Sequence, residues 1–236
     1  MTKRIFVFGM LIGLGAIFID LLLSYTPDSA LNQTARYYAE RTATDLGAAN
    51  IVAAVIVTYR GLDTLGEVTV LFLTAAILVM VLHRDHGIGV NKIPNRSLPP
   101  TGEMLGTGSR LLIPLILLMG VYLFVNGHLT PGGGFQGGAI IASAVLLLLL
   151  TNPNQTFNLQ LFSLTESISG IGFVVIGVLG MFFAGGFLDN RIFPIGQLGE
   201  LFSAGAIPVI YTLIGLKVGA EFSSILVHLS EEKEDS

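Results

Sequence analysis

Cysteine is absent from the chain, which excludes disulfide staples, thiolate-bound metals, iron–sulfur clusters and a cysteine nucleophile. Charge is scarce as well. Asp, Glu, Lys and Arg supply 12% of 236 residues, where a globular surface in water draws on about a quarter, so a soluble enzyme is excluded. A hydrophobic content of 52% and a mean hydropathy of +0.76 fit a chain whose solvent is lipid. The net charge of −4 comes largely from the terminal Glu231-Glu232-Lys233-Glu234-Asp235 and offers no basic surface to a nucleic acid. No glycine-rich nucleotide loop follows a strand and no metal-ligand set is spaced along the chain. His83 and His86 stand three apart without further ligands. The expectation is therefore no cofactor, no metal and no catalytic residue, with any redox chemistry carried by another chain.

What is present is a series of apolar runs. A helix crosses roughly 30 Å of hydrocarbon with about 20 residues and satisfies its own backbone groups while doing so. Runs near 5–23, 47–60, 68–83, 111–126, 137–151, 170–188 and 201–228 meet that template. The class is an all-α integral membrane protein of about seven transmembrane helices in two units. The run at 47–60 is short and meets Arg60, Asp63 and Glu67, so it forms either a crossing of its own or one broken unit with the next. The 24–46 connection suits a short helix at the membrane surface. The 84–110 connection, with Pro94, Pro99, Pro100 and Gly102, marks the boundary between units at 1–95 and 96–236. Counting Lys and Arg on alternate sides places the carboxy-terminal tail in the cytoplasm and the amino terminus outside.

Charges inside apolar runs are costly, about 2.5–3.5 kcal/mol at mid-bilayer on insertion scales, and mark ion routes or protein contacts. Arg60, Asp63 and Glu67 share one helical face by their spacing. They either pair and exchange a proton or Na⁺, or simply end two spans in an interfacial loop, and Gly61 and Gly66 could open the helix between them. Lys217 and Glu221 lie four apart inside the last run, with Ser224 and His228 on the same stripe. They form either a titratable line suited to proton transfer or a lysine that lifts its ammonium to the headgroups. Glu200 at the start of that run and Glu166 before the sixth read as structural charges at helix ends.

The most distinctive stretch is Gly127-His128-Leu129-Thr130-Pro131-Gly132-Gly133-Gly134-Phe135-Gln136-Gly137-Gly138. Thr130 before Pro131 predicts a helix N-cap, with the glycines in the first turns of the fifth span. Gly134, Gly138 and Ala142 form a small-xxx-small ridge for close helix packing. His128 either exchanges a proton near neutral pH or caps the preceding span.

This stretch resembles the MnhB family, the second of the small membrane proteins that make up Mrp-type multisubunit Na⁺/H⁺ antiporters. Tyr59-Arg60-Gly61-Leu62-Asp63-Thr64-Leu65-Gly66-Glu67 resembles a neighbouring piece, the carboxy-terminal part of the antiporter's large MnhA-type subunit, which is the separate small subunit MbhE in membrane-bound hydrogenases. The chain thus looks like a fusion: an MnhA-carboxy-terminal-like, MbhE-like unit over 1–95 and an MnhB-like unit over 96–236. Two positions depart from the MnhA pattern, since Thr58 stands at its first acid and Leu62 at its aromatic. The stretches Ser203–Pro208 and Gly215–Gly219 look closer to homologues in hydrogenase and sulfur-reductase complexes than to stand-alone antiporters.

The resemblance implies a membrane subunit of a cation/proton-translocating complex. Its implied partners are other Mrp-module subunits, hydrogenase or sulfur-reductase subunits and lipid, with Na⁺ and H⁺ as transported ions. Arg60, Asp63, Glu67, Lys217, Glu221 and His128 are the candidate ion-handling residues. Pro131, Gly132, Gly133, Gly134, Phe135, Gly137 and Gly138 are the structural motif.

Overall fold

The computed structural model describes residues 2–26, 30–85, 102–152 and 155–235. Among these residues the fold is helical, without strands, and six helices are long and apolar enough to cross a membrane. The division into compact units falls at Tyr37, with Met1–Tyr37 and Tyr38–Ser236 as the two. The first holds α1 (Thr2–Ser24), an apolar helix whose Phe6, Phe8, Ile17 and Leu22 are all exposed. The prolines of the 84–110 connection lie outside the described residues.

One expected span takes a different form. After α2 (Gln33–Arg41) and a π-helical turn over Thr42–Leu46, the chain reaches Gly47 in the left-handed region, which ends the helix. Asn50 then caps α3 (Ile51–Ala54), its side-chain oxygen accepting from Val52 N and Ala53 N. A second π-helical turn, Val55–Tyr59, follows. The two helical pieces Gln33–Leu46 and Ile51–Tyr59 meet at 85°, so 47–60 is one arm of a bent pair and not a straight crossing. The glycine stop and asparagine start standing side by side cause the bend.

The remaining spans are continuous helices. They are α4 (Gly61–Asp85), α5 (Glu103–Val125), α6 (Gly134–Thr151), α7 (Leu159–Phe183) and α8 (Ile207–Asp235). Two boundaries differ from expectation in ways that matter. α7 begins eleven residues before the expected start at 170, because Asn158 caps it by accepting from Gln160 N and Leu161 N, and this brings Glu166 inside the span. α8 begins at Ile207, so Glu200 lies in the preceding loop and complements no helix dipole there.

α8 is the central element, packing against α4, α5, α6 and α7. Ile207, Ile210, Tyr211, Ile214 and Val218 from α8 are buried with Val57, Val68, Phe173 and Leu188. The outward faces of α4, α5 and α7 carry exposed Phe, Leu, Ile and Met, the reverse of the surface of a soluble domain. Burial inside this bundle cannot be driven by escape from lipid, so close backbone packing carries more of the stability.

That packing is visible at the glycine motif. α6 starts at Gly134, with Gly133 as N-cap. Thr130 is therefore not the cap, and Pro131, Gly132 and Gly133 lie before the first helical turn. A Cβ on Gly134 would stand 2.7 Å from Ile214 of α8, and one on Gly138 would stand 2.8 Å from Gly215 O and Val218. On the neighbouring side, a Cβ on Gly137 would stand 2.6 Å from Gly120 O of α5. The small residues let α6 sit against both helices at backbone distance.

Candidate functional site

Three charges converge at the α7–α8 contact. Lys217 Nζ donates to Glu221 Oε1, one turn further along α8. The same ammonium lies 3.6 Å from Glu166 Oε1 on α7 and 5.0 Å from the centroid of the Phe72 ring on α4. The side chain of Lys217 is 7% exposed, that of Glu166 14%, and that of Glu221 is fully buried. Glu221 Oε2 has no hydrogen-bond partner among the described residues. Lys217 is ten residues into α8, about 15 Å along its axis, which is half of a roughly 30 Å hydrocarbon core. Its ammonium is paired at that depth and not lifted to the headgroups.

Glu166 belongs to this group and is not the helix-end charge that its place in the sequence suggests. The signal for it is an acid within the apolar run Leu159–Phe183, which is visible only once that run is seen to start at Asn158 and not near 170. Gly170, one turn on, leaves the Lys217 stem room: the nearest lysine carbons are 3.7 Å from the position of a Cβ there.

Arg60, Asp63 and Glu67 have a different setting. Arg60 ends the π-helical turn and binds Asp63, in the first turn of α4, through Nε at 2.6 Å and NH2 at 2.5 Å to Oδ2. Both side chains are more than half exposed. Glu67 lies one turn further along the same face and is also exposed, flanked by exposed Leu62, Val70 and Leu73. α4 runs unbroken through Gly66, so the alternative of an opened helix is not realised. A 320 Å³ hollow borders this end, lined in part by Thr58, Arg60, Asp63 and Phe187. Thr58, where the family pattern has an acid, holds its hydroxyl there buried and without a partner among the described residues.

His128 is fully buried in the turn between α5 and α6. Its Nε2 donates to Glu200 O at 3.3 Å. Burial holds its pKa below the usual histidine value, against the opposing pull of the Glu200 and Val125 carbonyls. Its own carbonyl accepts from Asn50 N at 3.0 Å. Asn50 Nδ2 also donates to Gly127 O at 2.8 Å and to Thr130 O at 3.0 Å. One asparagine thus starts α3 and fastens it to the glycine turn, joining the two stretches that carried the family resemblance. Its position before an apolar run was the available signal.

A second joint lies between α7 and α8. Asn190, fully buried, donates to Leu46 O at 3.0 Å and Ala204 O at 2.9 Å. Beside it Asp189 pairs with Arg191 and accepts from Gly185 N at 3.0 Å. Arg191 holds the Asp189 carboxyl down to about 2, outweighing the effect of burial.

Residues 104–224 match the family model described as the domain related to the MnhB subunit of Na⁺/H⁺ antiporters, just over half of the chain. The chain belongs to the MnhB family. Residues 3–93 match the model for MbhE, a subunit of membrane-bound hydrogenase, so this MnhB-family chain also carries the second piece expected from Tyr59–Glu67. A chain of the membrane-bound sulfane sulfur reductase, an archaeal respiratory membrane complex, superposes with a TM-score of 0.80 at 38% identity, covering 97% of this chain and 98% of that one. A protein of Methanocaldococcus jannaschii is 34% identical over 206 residues, covering 78% of each chain. The second subunit (B) of the Na⁺/H⁺ antiporter of Bacillus subtilis is 39% identical over 81 residues, 34% of this chain and 51% of that protein. The MnhB-family chain thus spans about half of the Bacillus relative and nearly all of the reductase chain. It is a multi-pass membrane protein and an MnhB- and MbhE-like subunit of the Mrp antiporter type.

Proposed function

We propose that this chain is a membrane subunit of an Mrp-type cation/proton-translocating complex attached to a respiratory assembly of the membrane-bound hydrogenase or sulfur-reductase class. There it contributes to Na⁺/H⁺ translocation. The observation that carries this reading is the Lys217–Glu221–Glu166 group, three charges held at mid-span depth with one carboxylate oxygen unsatisfied. Such groups are expensive in a membrane and are retained where protons or cations pass. The near end-to-end likeness to the sulfane sulfur reductase chain favours a respiratory assembly over a stand-alone Mrp antiporter.

In this reading the partners are the other membrane subunits of the module, with lipid around them and Na⁺ and H⁺ as the transported ions. Asp63 and Glu67, exposed on an apolar helix face, meet a neighbouring subunit, and Arg60 tunes the pair. His128, neutral and locked at the joint, positions the glycine turn and conducts nothing. The carboxy-terminal tail lies in the cytoplasm, on the side richer in Lys and Arg.

A second reading has a specific observation behind it: Lys217 is already paired, as it would be in a clasp that holds helices without conducting. Co-purification and transport separate these readings from an independent transporter. The chain reconstituted alone in vesicles is expected to move no Na⁺ or H⁺, and its affinity purification is expected to bring down other membrane subunits. Na⁺-dependent proton movement by the isolated chain would overturn the subunit reading.

A further inference from the structure

Two carboxylates share one ammonium where α7 meets α8. With all three groups ionised the cluster carries one negative charge in excess, in a place where unbalanced charge is strongly disfavoured. The excess is localised: Glu221 Oε1 holds Lys217, while Glu221 Oε2 is buried with no partner among the described residues. Glu166, at the more exposed edge, offers the same ammonium a second oxygen at 3.6 Å. The lysine stem has room against Gly170, and the face of Phe72 steadies the cation from α4 without neutralising either acid. From α7 the titratable group facing the cluster is Glu166; from α8 they are Lys217 and Glu221. α4 contributes Phe72 alone, and α5 and α6 present no titratable partner to it among the described residues.

Resting on the reading of this chain as a translocation subunit, we propose that Glu221 is the seat of one monovalent cation, a proton or Na⁺. Lys217 is the tethered competitor for that seat. When the cation binds Glu221, the ammonium moves to Glu166, so one neutral pair and a lone charge become two neutral pairs. When the cation leaves, the lysine returns and closes the seat. Glu166 is then a positioning residue, the rest position of Lys217, and touches no transported ion itself.

Infrared difference spectroscopy on the purified membrane complex tests this, with Na⁺ added at constant pH and, separately, pH varied without Na⁺. The wild type is expected to show one buried carboxyl responding to cation, and Glu221→Gln to lose that response. Glu166→Gln removes the rest position, so the half-saturating cation concentration rises about tenfold or more. The Lys217→Gln/Glu166→Gln double variant keeps the wild-type charge sum and removes the competitor, so its midpoint falls about tenfold or more below that of Glu166→Gln. A response to pH alone assigns the seat to the proton, and mutual displacement by Na⁺ and H⁺ assigns it to exchange. Wild-type midpoints in both Glu166→Gln and the double variant would overturn the competitor, as would a wild-type complex whose carboxyl responds to neither cation. If Glu221→Gln still abolishes transport in that last case, the subunit's part in translocation stands and only the seat falls.

Discussion

Asp63 and Glu67 on α4, and Lys217 and Glu221 on α8, are both charged pairs four residues apart in apolar helices, yet they have opposite fates. The α4 pair lies on an exposed face, with Arg60 bound to Asp63 at the helix start. The α8 pair is enclosed by α7 and α4, with Glu166 and Phe72 completing its surroundings. Helix position decides the difference. α8 is packed on by four other helices, so a charge ten residues into it has no path to water, whereas the first turns of α4 open onto a hollow. Like spacing therefore gives a surface pair worth little and a buried group that is either costly or functional.

Removing one partner should expose that contrast most strongly. Glu221→Ala leaves Lys217 buried with only the 3.6 Å contact to Glu166, and should destabilise the protein by about 3 kcal/mol, read from thermal unfolding in detergent. A loss under about 1 kcal/mol would mean that the α8 site is as wet as the α4 one. Next comes the packing that makes α8 central. Gly138→Ala puts a methyl 2.8 Å from Gly215 O and 2.9 Å from Gly219 N. Backbone there cannot rotate away, so about 2 kcal/mol should be lost.

Asn50→Ala should follow. It removes two accepted and two donated hydrogen bonds at the joint, for about 1.5 kcal/mol, with faster proteolysis near Gly127–Thr130 as a second readout. Arg60→Ala, in the exposed pair, should cost under about 1 kcal/mol and leave the unfolding midpoint nearly unchanged.

Asp189 supplies a pH test on the loop side. Arg191 holds its pKa at about 2, down from 3.8, so the folded state binds its proton less readily than the unfolded chain does. The stabilisation is complete above the ordinary value and is lost as pH falls towards 2. Asp189→Asn should remove that acid limb from the midpoint-against-pH curve.

Much of this is legible in the residues. Six apolar runs can be read because a membrane span leaves a composition signal that needs no tertiary information, and the Gly134–Gly138–Ala142 ridge does face α8. The bend at 47–60 is half visible, in the shortness of the run; the left-handed Gly47 that makes it is not. Glu166 escapes because its partner is fifty-one residues away on another helix, and no local pattern records which side of α7 meets α8. Thr130-Pro131 suggests a cap, but the chain delays α6 to Gly134 so that Asn50 can bind the turn in between. Spacing locates the charges; depth and neighbours, which distinguish α4 from α8, arise only when the helices assemble.

The most direct test is Na⁺-coupled proton transport by the reconstituted complex carrying Glu221→Gln, a change that keeps the side chain's shape, with subunit composition checked on the same preparation. An intact complex with transport reduced about tenfold or more is the predicted result. An intact complex that transports at the wild-type rate would contradict the role assigned to the buried α8 group.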